Sequence, residues 1–246
     1  MRLSDRVYLV GSGRLGFGIS SPFDCHVYAI DGGSEIALFD AGSGLDVDTI
    51  VERMRFDGLD VSKLRYLVLS HGHADHAGGA IQWRERFGVD VLAHPLTAQY
   101  VATADLKAIS LAAAIAAGVY PGDYQFHACP VAGTLKGGDT LRAGDLTLSI
   151  HDAPGHSSGQ IAAMLEQGGK RHLFSADAVF HGGRIVLQNI WDCHLHESME
   201  TIRALAALRP DALLPGHLTI SLSDGAAELD RACKAMDRLE VPPALL

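Results

Sequence analysis

Residues 70–79 read Ser70-His71-Gly72-His73-Ala74-Asp75-His76-Ala77-Gly78-Gly79. His71, His73, Asp75 and His76 fall within six residues, between the apolar run Leu67–Ser70 and the segment Ala80–Phe87. His71 and His73 are two apart, so on an extended or loop backbone they project the same way. Asp75 and His76 are adjacent and diverge, toward a second position. One loop can therefore serve two metal ions a few ångströms apart. Glycine and alanine in the gaps keep the backbone compact around a crowded site. Imidazole and carboxylate together suit zinc, manganese or iron without any thiolate. In the segment that follows, Ile81, Trp83 and Phe87 are the apolar positions and Gly88 is a stop signal, which predicts a short helix.

Working outward, strand-like runs lie at Val7–Val10, Val27–Ile30 and Ile36–Phe39, with Asp31-Gly32-Gly33 as a hairpin turn between the last two. Val89–Ala93 is another strand. Two helices are expected over 97–118, the second at Leu106–Ala117. From residue 131 the pattern repeats in kind, with strands at Thr140–Arg142, Leu146–His151, Ile161–Leu165, His172–Ser175 and Arg184–Leu187. Met199, Ile202, Leu205 and Leu208 recur at spacings of three, as on an amphipathic helix, with Ser198 as its N-cap. Ala212–Leu214 is a last strand and Ser223–Leu239 a last helix. Each half runs strands first and helix after. This predicts two similar α/β units packed as one domain, sheets face to face and helices outside.

The histidine theme returns at strand ends. Ala153-Pro154-Gly155-His156-Ser157-Ser158-Gly159 follows one strand, and Leu214-Pro215-Gly216-His217 follows another. Ser175-Ala176-Asp177-Ala178 lies between them. A ligand at the end of a rigid strand is held in place better than one on a free loop.

The chain's 246 residues suffice for a large core, and 48% of them are apolar. Lys and Arg number 20 against 29 Asp and Glu, a net charge of −9, which argues against a nucleic-acid substrate. There are 13 histidines and 4 scattered cysteines without a C-x-x-C pair, so zinc-ribbon and thioredoxin motifs are excluded. The residues after Arg6 lack an apolar run of signal-peptide length, and Ile109–Val119 is too short to span a bilayer. The expectation is a soluble cytoplasmic protein acting on a small molecule, without nucleic-acid or membrane partners and with a homodimer allowed.

In order and type, these motifs resemble the metallo-β-lactamase-fold hydrolase superfamily: H-x-H-x-D-H at 71–76, P-G-H-S-x-G at 154–159, the single Asp177 and P-G-H at 215–217. Asp40, in Leu38-Phe39-Asp40-Ala41-Gly42, matches a further motif of that family. The resemblance implies a four-layer αββα sandwich over residues 1–246, with the helical stretch at about 97–130 as an insertion that caps the active site. It implies that His71, His73 and His156 hold one divalent metal ion, zinc before manganese or iron. Asp75, His76 and His217 would hold a second, with Asp177 bridging the two. Asp40 would hold the ligand loop by hydrogen bonds.

The implied chemistry is a metal-bridging hydroxide attacking a small ester, lactone or related acyl substrate. Asp75 is the candidate catalytic residue, orienting the nucleophile or carrying its proton. A mononuclear iron dioxygenase of the same fold is the alternative of different class. A thioesterase of hydroxyacylglutathione-hydrolase type and a β-lactamase are alternatives within the hydrolases. His181, His194 and His196 are candidates for the mouth of the site, and Cys25-His26 reads first as strand packing. Tyr120, Tyr124 and Phe126 are expected to give the insertion an apolar wall.

Overall fold

A computed structural model describes residues 1–244. The chain divides into two compact units, one of residues Met1–Leu135 with Arg142–Leu146, the other of Lys136–Leu141 with Thr147–Leu246.

The first unit carries a six-stranded sheet in the order β1 (Val7–Gly11), β2 (Val27–Asp31), β3 (Ile36–Phe39), β4 (Leu64–Leu69), β5 (Asp90–Ala93) and β6 (Gly133–Thr134). The first three strands pair antiparallel, and Tyr28 lies opposite Phe39 across the Asp31-Gly32-Gly33 turn. From β3 to β6 the pairing is parallel, so each step needs a crossover. Helices α1 (Val47–Phe56), α2 (Ala74–Ala77), α3 (Ala80–Phe87), α4 (Pro95–Thr103) and α5 (Leu111–Ala116) lie in those crossovers. The core gathers Val27, Leu38, Leu67, Leu69, Val91 and the fully buried Trp83.

Gly88 ends α3 in the left-handed conformation, its N–H returning to the Arg84 carbonyl at 2.9 Å, as its sequence predicts. Helix α1 is an addition to the sequence reading. Asp46 caps it by accepting from Thr49 N, and Val47, Ile50, Val51 and Met54 form its buried stripe. The helix expected at Leu106–Ala117 shortens to Leu111–Ala116. Asp105 accepts from Ala108 N at 3.0 Å and winds the preceding residues into turns, and Ser110 takes a φ of 53°, which breaks any continuous helix there.

The second sheet runs β11 (Ala212–Pro215), β10 (Lys170–Ala176), β9 (Ile161–Gln167), β8 (Leu146–Asp152) and β7 (Thr140–Ala143). Strands β8, β9 and β10 pair antiparallel, while β10 and β11 are parallel and joined through α6 (Leu195–Ala207). Ile202 and Leu205 of α6 and Leu229, Ala232 and Met236 of α7 (Gly225–Asp237) bury against Leu173 and Leu213. Two expectations change here. Ser198 lies inside the first turn of α6, because its N–H and hydroxyl both donate to the His194 carbonyl, and His194 takes the N-cap position. Arg184–Leu187 makes single bridges, Phe180 with Arg184 and Ile185 with Ala244, rather than a strand. Among the described residues no helix is long and apolar enough to cross a membrane.

Candidate metal centre

In the first unit the ligand loop leaves β4 and is fixed from below by Asp40, which leaves β3 one strand over. Asp40 Oδ1 accepts from Ser70 N at 2.7 Å, and Oδ2 accepts from Ser70 Oγ at 2.9 Å. The same Oδ2 lies 2.8 Å from His76 Nδ1. Asp40 has a φ of 67°, a left-handed conformation that aspartate tolerates better than most residues. Its neighbour Ala41 donates its N–H to the His76 carbonyl at 2.7 Å and accepts from Trp83 Nε1 at 2.9 Å. The holding role expected of Asp40 is thus visible as hydrogen bonds to both ends of the loop.

These bonds decide which ring nitrogens face outward. His71 engages Ser70 Oγ through Nδ1 at 2.9 Å, and its Nε2 comes within 3.1 Å of His73 Nδ1. His76, engaged through Nδ1, presents Nε2 at 3.5 Å from Asp75 Oδ2. All three imidazoles are buried, and the Asp75 side chain is 17% exposed.

The second unit holds its three candidates in one cluster. Asp177 follows β10, where Ala176 takes a φ of 45° and its carbonyl accepts from Gly216 N at 2.8 Å. Asp177 Oδ2 then lies 3.5 Å from His156 Nε2 and 3.5 Å from His217 Nε2. Gly155 turns the chain into His156 at a φ of 127°, packed against the first turn of α6. Buried Asp192 holds the other side of that loop, accepting from Ser157 Oγ at 2.8 Å and Ser158 N at 3.2 Å. Glu228 of α7 accepts from Gly182 N at 2.5 Å and Ser221 Oγ at 3.3 Å, gripping the segments after Asp177 and after His217.

The donor set fits divalent cations. Two ligands on one tetrahedral zinc, each at about 2.0–2.2 Å, stand roughly 3.3–3.5 Å apart. The 3.5 Å of the three histidine–carboxylate pairs matches that edge, and the 3.1 Å between His71 and His73 falls slightly short of it. Nitrogen and oxygen donors without sulfur suit zinc, manganese or iron. His71, His73, Asp75 and His76 offer such donors in the first unit, and His156, Asp177 and His217 offer them in the second.

Other candidates resolve differently. Cys25 is fully buried, its thiol donating to the His26 carbonyl at 3.4 Å, and burial pushes that thiol well above the ordinary cysteine value. It is not poised as a nucleophile. His196 is an exposed partner of Glu200, and His181 lies 3.1 Å from Ser221 Oγ. His194 donates its backbone N–H to the Gly155 carbonyl at 2.7 Å.

Tyr120 is the polar residue that sequence reasoning missed. Expected as apolar wall, it donates its hydroxyl to Asp75 Oδ1 at 2.6 Å. Burial, and then the Asp75 carboxylate, hold its phenol well above the ordinary tyrosine value, so it stays a donor.

Comparison with known proteins agrees with these motifs. Residues 20–217 match the family described as the metallo-beta-lactamase superfamily. The chain is 24% identical over 136 residues to the probable metallo-hydrolase YybB of Bacillus subtilis, covering 55% of this chain. It spans only 54% of that relative's length. Over 158 residues it is 25% identical to the hydroxyacylglutathione hydrolase GloC of Haemophilus influenzae, with 60% of this chain and 62% of the other covered. The crystal structure of BJP-1, a subclass B3 metallo-beta-lactamase of Bradyrhizobium japonicum, superposes with a TM-score of 0.73 at 20% identity, over 97% of this chain and 92% of that one. The mixed α/β architecture, with two sheets and flanking helices, is therefore the metallo-β-lactamase fold. With a match that runs through every histidine motif from His71 to His217, the chain belongs to the metallo-beta-lactamase superfamily.

Proposed function

We propose that the chain is a dinuclear metal-dependent hydrolase of small acyl substrates, esters and lactones first. The observation that carries this is the place of Asp177: one carboxylate oxygen stands 3.5 Å from each of His156 and His217. In the proposed centre His71, His73 and His156 would hold one ion, Asp75, His76 and His217 would hold the other, and Asp177 would serve both.

Bound divalent ions supply a nucleophile near neutral pH, by acidifying water, and polarise the acyl oxygen. The protein does the rest. Asp40 fixes His76 and the loop entry, and Asp192 fixes the loop that bears His156. Asp75 orients the attacking water and takes its proton at the carboxylate. No serine or cysteine nucleophile is needed.

The hydroxyacylglutathione hydrolase among the relatives favours acyl thioesters as a second reading of the same centre. A panel of lactone, carboxyl ester, acyl thioester, phosphodiester and β-lactam substrates, run on zinc-loaded protein, tests the proposal. The expected result is turnover of one or more acyl substrates, abolished by a chelator and restored by zinc. Turnover of the phosphodiester or the β-lactam alone would contradict it.

A further inference from the structure

Asp75 carries two duties in the proposed centre, facing an ion and handling a proton. The terminal torsion of an aspartate is broad and roughly two-fold, so its two oxygens exchange easily unless something holds one of them. Tyr120 makes two contacts with this residue. Its Oη donates to Asp75 Oδ1 at 2.6 Å and accepts from Asp75 N at 3.1 Å. One phenol oxygen thus spans the side chain and the main chain of a single ligand.

Tyr120 is itself held. Its ring stacks on Tyr124 at 5.1 Å between centroids and 26° between planes, and Tyr124 Oη donates to the Ser43 carbonyl at 2.6 Å. A Cβ at position 78 would stand 2.1 Å from that Tyr124 oxygen. The glycine directly after the ligand loop therefore makes room for the tyrosine pair. The segment that carries both rings is wedged into the loop that carries the ligands.

Resting on the dinuclear reading, we propose that Tyr120 is a positioning residue for Asp75. By tying Oδ1, it leaves Oδ2, the oxygen 3.5 Å from His76 Nε2, as the one presented to the ion. Without the phenol oxygen the carboxylate turns away from that pose. Partners that orient a ligand in this way are typically worth about 10–100-fold in metal affinity or activity.

The test is Tyr120→Phe, which removes one oxygen and keeps the stacked ring. Losing the hydrogen bonds of the phenol oxygen costs about 1–3 kcal/mol, less than the usual stability of a domain, so the variant folds. Metal-stripped wild type and variant are titrated with zinc against a chromophoric chelator, and kcat and KM are measured on the best panel substrate. Wild type is expected to take two equivalents. The variant is expected to bind one of the two equivalents about 10–100-fold less well, keep the other, and lose kcat by a similar factor while KM moves less than about threefold. A variant with both zinc affinities and kcat unchanged would overturn the role of Tyr120 and leave the dinuclear reading standing. A wild type that takes fewer than two equivalents would overturn that reading and this proposal with it.

Discussion

Asp177→Ala is expected to lower hydrolysis by about 10³-fold or more and to reduce bound zinc from two equivalents to one. Removing one preorganised electrostatic group from an active site commonly costs about 10²–10³-fold, and this carboxylate serves both ions of the proposed centre. The variant also leaves His156 and His217 facing each other without the negative charge between them. Ala176 already takes the left-handed turn and Gly216 still reaches its carbonyl, so the strand end keeps its path. The loss should therefore appear in metal content and kcat with little change in melting temperature. Asp177→Asn separates charge from shape: it retains an oxygen donor but should lose the second equivalent as well. Full activity with two bound ions in either variant would remove Asp177 from the bridging position.

Gly155→Ala is expected to be the most damaging single methyl group in the second unit. The residue sits at a φ of 127°, where a side chain is strained. Its Cβ would stand 2.3 Å from Ser198 N and 2.5 Å from Ser198 Cα, both on the backbone of α6. A helix backbone cannot move aside as a flexible side chain can. Strain and overpacking each cost about 1–3 kcal/mol, so the sum is about 2–6 kcal/mol. At roughly 2–4 °C per kcal/mol for a chain of this size, the melting temperature should fall by about 10 °C. Because His156 is the next residue, zinc affinity should fall in the same variant. Calorimetry with and without zinc reads both, and an unchanged melting temperature would show that the loop and α6 are not packed as described.

The sequence carried the candidate donors more plainly than the fold around them. His71, His73, Asp75 and His76 are legible because they are dense and lie between an apolar strand and a helix. His156 and His217 are legible from their shared Pro-Gly-His setting, whereas Asp177 gains meaning only beside them. Helix α1 is also written locally, in Asp46 and the Val47, Ile50, Val51 and Met54 stripe. The break at Ser110 is hidden because alanine and leucine favour helix on either side, and a turn capped by Asp105 overrides them. Tyr120 is hidden for another reason: it lies 45 residues from Asp75, and only the folded chain brings the two together. Side chains that position a ligand across such separations have no spacing rule to betray them.

The proposed centre requires that the chain hold two divalent ions at once, on nitrogen and oxygen donors alone. Elemental analysis of the purified protein, stripped, reloaded with zinc and freed of unbound zinc by gel filtration, measures this directly. Two zinc ions per chain are expected, with hydrolytic activity returning as the second binds. A single ion per chain, whether zinc or one tightly held iron, would rule out the dinuclear centre.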